Sequence, residues 1–222
     1  MLPELTILAY CEEMIPIVAE IALDCGYAPK FRIIENMKTP KGAYAIEVPG
    51  AEYELITKAG WTARAGENVA FSVVQPPSKH RVFLEFQGSC GLERANYPDL
   101  IHPSSFVSKT AKTGGGLLLE PLSAISAHTA LGFGITIRRG VTIGHHGTIG
   151  DFTSIFPGVT IGGMARIGER VTIGIGAVVL DKVEIGAGAF IGAGSLVTRN
   201  IPAGVLAYGS PCKVIREIEN QS

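Results

Sequence analysis

The chain has 222 residues, of which 46% are hydrophobic and 18% charged, enough for one large domain or two small ones. The formal net charge of −1 argues against a general nucleic-acid binder, which carries a strong basic excess. No apolar run reaches the ~18–20 residues of a membrane span, and the N-terminus lacks the basic region of a secretory signal. The four cysteines lie far apart without a CxxC pair, which disfavours a zinc site or a disulfide framework and predicts a cytoplasmic protein.

Glycine content and charge both change near residue 103. Of the 28 glycines, 21 follow this position. The net charge is −4 before it and +3 after it. We therefore expect a small domain at 1–103, a second domain at 104–200 and a C-terminal tail at 201–222.

The first half alternates between strand and helix patterns. Residues 5–10 form an apolar run typical of a buried strand, and residues 12–25 have helical spacing before Gly26. The remaining predictions are a strand at 31–34, a weaker helix at 51–59, a strand at 69–74 ended by Pro76 and Pro77, and a helix at 78–86. This alternation predicts a small Rossmann-like α/β domain with a parallel sheet.

The second half repeats every six residues. From Val107 to Val197, fifteen of the sixteen residues spaced by six are Ile, Leu or Val. A period of six fits neither a helix nor an ordinary strand, but it fits a three-sided prism with one hexapeptide per face. The aliphatic residue points into the prism, and a small residue two places earlier fills the remaining space. The predicted fold is mainly β, a left-handed parallel β-helix of about five turns preceded by the α/β domain.

The repeat brings distant residues together, because one turn takes eighteen residues. Gly163 should lie directly above His145, and His128 should lie below His146. An outward imidazole beside a glycine is a candidate base next to an exposed backbone N–H. The alternative is a pair of solvated surface histidines, but the prism surface is otherwise poor in titratable groups.

Several motifs resemble a known enzyme family. They are HPS at 102–104, HHGTIGDF at 145–152, PG at 157–158, IPAG at 201–204 and GSPCK at 209–213. The coil resembles the left-handed β-helix acyltransferases. The whole chain is similar to bacterial sugar acetyltransferases of the sialic-acid O-acetyltransferase and nucleotide-amino-sugar N-acetyltransferase type.

The resemblance implies a homotrimer, acetyl-CoA as cosubstrate, no metal and an active site between neighbouring prisms. It assigns the general base to His145, with His146 in place of the acidic residue that commonly follows that base. It assigns the thioester-oxygen donor to the Gly163 N–H. We expect Ile161, Gly162, Gly163 and Lys213 to contact acetyl-CoA, and Glu35, Lys79 and Arg81 to contact the sugar substrate.

The expected reaction is direct attack of a sugar amine or hydroxyl on the thioester, with neutral His145 accepting the proton. The acceptor would be a nucleotide-linked amino sugar for surface glycan synthesis, or a sugar without a nucleotide. Two other interpretations remain open, a zinc enzyme like the γ-type carbonic anhydrases and a non-catalytic hexapeptide-repeat scaffold. Adjacent side chains diverge, which disfavours joint metal ligation by His145 and His146.

The loop after the first strand departs from the family. Relatives have a glycine-rich turn that suits a phosphate, whereas this chain has AYCEEM at 9–14. We expect Glu12 and Glu13 in the first helical turn, where they would repel a diphosphate. A nucleotide diphosphate should therefore not bind there, and its alternative ligands would be Lys79 and Arg81.

Overall fold

The computed structural model describes residues 2–36 and 42–218. The first unit has four parallel strands in the order β3-β2-β1-β4. Two helices pack on this sheet, and single 3-10 turns cover Lys58–Gly60 and Arg94–Asn96. The elements in chain order are β1 Leu5–Leu8, α1 Ile15–Asp24, β2 Lys30–Glu35, β3 Glu52–Thr57, β4 Val69–Phe71 and α2 Pro76–Cys90.

The predicted α/β domain is confirmed, but several of its elements differ from the prediction. Residues 51–59 contain β3 rather than a helix, because the sequence EYELIT alternates on an edge strand that keeps most of its side chains partly or fully exposed. The strand predicted at 69–74 ends at Phe71. Pro76 and Pro77 begin α2 rather than ending a strand, since proline is well tolerated in the first helical turn, where its missing N–H is not needed.

The second unit is a three-sided parallel β-helix, as the six-residue period predicts. Each strand pairs with the strand eighteen residues away, as Ile143 does with Ile125 and Ile161. The coil begins at Leu100, four residues before the expected start. Its two-residue strands are β5 Leu100–Ile101, β6 Phe106–Val107, β7 Leu118–Leu119, β8 Ala124–Ile125, β9 Ala130–Leu131, β10 Thr136–Ile137, β11 Thr142–Ile143, β12 Thr148–Ile149, β13 Ser154–Ile155, β14 Thr160–Ile161, β15 Arg166–Ile167, β16 Thr172–Ile173, β17 Val178–Val179, β18 Glu184–Ile185, β19 Phe190–Ile191 and β20 Leu196–Val197.

The strands form three faces around one aliphatic core. Face one runs from β5 to β19 and continues into β21 (Val205–Gly209) and β22 (Cys212–Glu217). Face two has the order β20-β17-β14-β11-β8-β6, and face three has the order β18-β15-β12-β9. The second residue of nearly every strand is buried in the prism, together with the small residues two places earlier. The left-handed β-helix is therefore confirmed.

Aromatic side chains join the two units. Phe71 of β4 and Phe83 of α2 meet Phe133 and Phe152, which lie at corners between faces three and one. Tyr97 stacks on Phe71 with ring centroids 4.7 Å apart and meets Phe133 edge-on at 5.3 Å. We call these five residues the aromatic seam. Aromatic pairs of this kind contribute about 0.5–1.5 kcal/mol each beyond their buried area, so the seam fixes the α/β unit to the prism.

Candidate active site on a corner of the prism

The two adjacent histidines lie on the corner between faces two and three, directly after β11. The His146 N–H donates to the Ala127 carbonyl at 2.9 Å, and the Met164 N–H donates to the His145 carbonyl at 2.7 Å. His146 has φ +57°, and His128 one coil below has φ +58°. The same left-handed backbone conformation therefore recurs at this corner in successive coils, and it fixes the direction in which the side chains leave the backbone.

The imidazoles on this corner contact one another. The Nδ1 atoms of His145 and His146 are 3.0 Å apart, within hydrogen-bond distance. The two rings are nearly perpendicular, at 85°. The ring of His128 lies against that of His146 with centroids 4.8 Å apart, as the eighteen-residue spacing predicts. We call His128, His145 and His146 the histidine column.

The other ring nitrogen of His145 faces the coil above. A Cβ added to Gly163 would lie 3.0 Å from His145 Nε2 and 3.1 Å from Cε1. Any residue larger than glycine at position 163 would therefore force the His145 ring to shift. The stacking of Gly163 on His145 is confirmed, and Nε2 is the nitrogen that points away from His146.

The backbone N–H of Gly163 already has a partner. It donates to Asp181 Oδ1, one coil further up, at 2.6 Å. An aspartate satisfies a corner N–H in the same way elsewhere in the coil, with Asp151 accepting from Phe133 at 2.8 Å. The sequence analysis missed Asp181, although the eighteen-residue spacing from Gly163 would have found it.

A shallow groove of about 560 Å³ runs along face three, on the coils above the histidine column. Arg166 and Glu184 line it from adjoining strands, and their side chains pair at 3.3 Å. Asn200 and Pro202 line its upper end. Because its lining residues come from successive coils of one face, the groove runs along the prism axis.

One residue assigned to the sugar lies elsewhere. Lys79 is fully buried between α2 and the prism, so the expectation that it binds substrate is wrong. Its Nζ donates to the Gly134 carbonyl and Thr136 Oγ1, both at 2.8 Å, and to Ser154 Oγ at 3.3 Å. No carboxylate is among these partners. Burial lowers the pKa of Lys79 from 10.5 to about 7.

The other residues expected to bind ligands lie in several parts of the structure. The Ile161 side chain is buried in the prism core, so only its backbone could meet a ligand. Gly162 precedes Gly163, and its N–H donates to the Val179 carbonyl at 2.8 Å. Lys213 lies exposed on β22, which pairs with β21 at one end of face one. Arg81 is an exposed residue of α2.

The carboxyl edge of the α/β sheet is acidic. Glu12 is buried, and its carboxylate accepts hydrogen bonds from the backbone N–H groups of Gly42, Ala43 and Tyr44. The bonds from Ala43 and Tyr44 are 2.9 Å long. These backbone donors, led by Tyr44, lower the pKa of Glu12. Glu35 is the last residue of β2 on this edge. Burial is the main cause that raises the pKa of Tyr10, and the charge of Glu35 raises it further.

The helix position expected for Glu12 and Glu13 is wrong. Helix α1 begins at Ile15, with Pro16 in its first turn, and that turn holds no acidic residue. Glu12 instead stabilises the segment 42–44 and uses the backbone N–H groups that an anion would need.

Residues 2–36 and 42–218 show neither a metal-binding cluster nor a membrane-spanning helix. Within these ranges no group of three or more His, Cys, Asp or Glu side chains could hold a metal ion. No helix within them is long and apolar enough to cross a membrane.

One segment of the coil matches a known protein family. Residues 164–199 match the family described as bacterial transferase hexapeptide (six repeats). Among curated protein sequences, none matches the chain.

Three solved structures share the fold over nearly the whole chain. Perosamine N-acetyltransferase from Caulobacter crescentus, solved as a mutant with CoA and GDP-perosamine, has a TM-score of 0.80 and 22% identity over 98% of this chain and 99% of its own. The acetyltransferase domain of PglB from Neisseria gonorrhoeae FA1090, in complex with acetyl coenzyme A, has a TM-score of 0.77 and 22% identity over 96% and 100%. WeeI from Acinetobacter baumannii AYE has a TM-score of 0.77 and 19% identity over 96% and 99%. The chain therefore shares the fold of these three structures over nearly its whole length, and its residues 164–199 match the hexapeptide repeat of the family.

Proposed function

We propose that this protein is an acetyltransferase that moves the acetyl group of acetyl-CoA to an amine or hydroxyl of a sugar. The observation that carries the proposal is the position of His145, whose Nε2 faces Gly163 on an open corner of the prism. The hexapeptide family match and the acetyl-CoA and CoA named with the similar structures support it. The groove above the column on face three would accept the pantetheine arm.

In the proposed mechanism the acceptor attacks the thioester carbonyl directly. His145 Nε2 takes the proton from the attacking amine or hydroxyl, and a neutral imidazole can do this near physiological pH. The Gly163 N–H then donates to the oxyanion, an interaction worth roughly 3–4 kcal/mol in comparable sites. Collapse of the tetrahedral intermediate breaks the C–S bond, and the CoA thiolate leaves with the proton held by His145. Because Asp181 holds the Gly163 N–H, acetyl-CoA must displace its carboxylate before the donor becomes available.

Two classes of sugar acceptor remain, and residues of the α/β unit bear on the choice between them. A nucleotide-linked amino sugar, as in the complex with GDP-perosamine, is the first. The second is a sugar without a nucleotide. It is favoured by Glu12, which already uses the N–H groups of segment 42–44, and by the burial of Lys79, which removes one of the two alternative phosphate ligands.

The assay is release of CoA thiol across a panel of nucleotide-linked amino sugars and free sugars. With the right acceptor, His145→Ala should lower turnover at least ~100-fold with little change in acetyl-CoA affinity. The matched control is His80→Ala, a histidine of α2 that packs on Phe152 outside the histidine column. Near-full activity of His145→Ala would exclude His145 as the base, and absence of acetyl-CoA binding would favour a non-catalytic scaffold.

We further propose that the active protein is a homotrimer, in which a neighbouring prism supplies the second wall of the corner site. Face two presents the exposed Phe106 beside small and apolar residues, and Met164 and Leu180 are exposed along the corner itself. Light scattering should give about three times 23.4 kDa. A monomer at all concentrations that still turns over acetyl-CoA would refute this assembly.

A further inference from the structure

The histidine column contains a hydrogen bond whose direction decides whether His145 can act. Each neutral imidazole has one N–H and one lone pair, and His145 Nδ1 is paired with His146 Nδ1 at 3.0 Å. One nitrogen must donate and the other must accept. The two possible directions leave His145 Nε2 in opposite states.

Only one direction is compatible with a base at Nε2. If His146 donates, the neutral His145 carries its proton on Nε2 and has no lone pair facing Gly163. If His145 donates, its Nδ1 holds the proton and Nε2 has a free lone pair. His146 then accepts at Nδ1 and keeps its own proton on Nε2.

We propose that His146 is a positioning residue that works as a neutral hydrogen-bond acceptor, selecting the tautomer of His145 with a free Nε2 lone pair. This inference rests on the proposed function of His145 and adds to it the arrangement of protons. No proton needs to pass to His146, because the imidazolium formed on His145 still donates from Nδ1. The hydrogen bond therefore persists through the whole reaction.

The surroundings of His146 fix its ring in this role. Its backbone is held at φ +57° by the hydrogen bond to Ala127, and its ring lies against His128 on one side and His145 on the other. Met164 occupies the same corner position one coil above. Further up the corner follow Asp181, on the Gly163 N–H, and Lys182. On face three the nearest charged strand residue is Arg166, paired with Glu184.

The arrangement limits the charge that the pair can hold. A proton added to His146 Nδ1 would place two N–H groups against each other at 3.0 Å and remove the acceptor. The pair therefore holds one extra proton in the working geometry. A charged acceptor at this position would stabilise protonated His145 more strongly than the neutral imidazole does.

Three substitutions at position 146 distinguish the effect of a hydrogen-bond acceptor from the effect of the imidazole ring itself. His146→Asn keeps a neutral acceptor and tolerates φ > 0, so turnover should stay within about tenfold of the parent. His146→Ala removes the acceptor and should lower kcat more than tenfold without changing the KM for acetyl-CoA. His146→Asp supplies an ionised acceptor and should move the acid limb of the kcat profile up by about 1 pH unit.

The control is Arg170→Asn, which makes the same substitution at a corner with φ +55° between faces three and one. It should leave both turnover and the pH profile unchanged. If His146→Ala matches His146→Asn in kcat, or if His146→Asp leaves the acid limb in place, the inference is wrong.

The protons can also be located directly, without substrate. Long-range ¹⁵N–¹H correlation spectra of ¹⁵N-histidine-labelled protein report the tautomer of each of the five histidines, assigned with the single His→Ala variants. We expect His145 protonated on Nδ1 and His146 on Nε2, and the reverse pattern would overturn the inference. If this pattern is found but no acceptor supports thiol release, the proposed function fails while the proton arrangement stands.

Discussion

Replacing Lys79 with methionine should change the stability of the protein by an amount that depends on pH. Lys79→Met keeps the length and flexibility of the side chain and removes an ammonium group that is fully buried between the two units. Three oxygen partners surround Nζ, and none of them is a carboxylate. The charged form is therefore costly in the folded protein.

The pKa of Lys79 gives the size of this cost. Burial lowers it from 10.5 to about 7, and this difference corresponds to about 5 kcal/mol. Because the folded pKa is the lower one, the unfolded chain binds more protons between pH 7 and 10.5. The penalty is thus fully present below about pH 7 and disappears as the pH rises toward 10.5, so the free energy of unfolding of the parent protein increases with pH across this window.

The variant removes the penalty and the hydrogen bonds together. Loss of Nζ leaves the buried Gly134 carbonyl without this donor, at a cost of about 1–3 kcal/mol that does not depend on pH. At pH 7 the variant should be at least as stable as the parent. Between pH 7 and pH 9.5 its stability relative to the parent should fall by about 3 kcal/mol.

Urea unfolding of both proteins at pH 7 and pH 9.5, at one protomer concentration, measures this change. Taking the difference between variant and parent removes the contributions of the other titrating groups. A difference that stays constant between the two pH values would refute the reasoning, because Lys79 would then keep its ordinary protonation in the folded protein.

Three further substitutions test the site and the α/β unit. Gly163→Ala should lower kcat at least tenfold while circular dichroism stays unchanged, since its Cβ would lie 3.0 Å from His145 Nε2. Asp181→Ala frees the Gly163 N–H and should lower the KM for acetyl-CoA; an unchanged or higher KM would show that the carboxylate does not compete with the thioester. Glu12→Gln should lower the melting temperature at pH 7, with the difference disappearing as the pH falls through the lowered pKa of Glu12; protection of segment 42–44 from hydrogen exchange reports the same loss.

The coil could be predicted residue by residue because its sequence repeats under one constraint. Each strand places one aliphatic side chain in a narrow core, so a shift by one residue would expose the whole series. The register that pairs Ile143 with Ile161 follows directly, and so do the contacts of His128 with His146 and of His145 with Gly163.

The α/β unit was less predictable because its signals are local and compete with tertiary packing. Residues 52–57 favour a helix by composition, but their alternating pattern matches the edge strand that the sheet requires. The burial of Lys79 has no local signal at all, since it depends on the prism side chains Thr136 and Ser154, 57 and 75 residues away. A lysine on a predicted helix is ordinarily interpreted as exposed.

The aromatic seam has a consequence for how substrates enter. Swinging the α/β unit away from the prism would break the ring contacts of Phe83 with Phe133 and Phe152, 5.0 and 5.6 Å apart, and the hydrogen bonds that Lys79 donates to Gly134 and Thr136. This unit is therefore unsuited to serve as a moving lid, unlike the closing domains of many transferases. Donor and acceptor must diffuse into a cleft of preset shape, and the tolerance of the enzyme for different acceptors is limited by the fit of rigid walls rather than by the ease of closure.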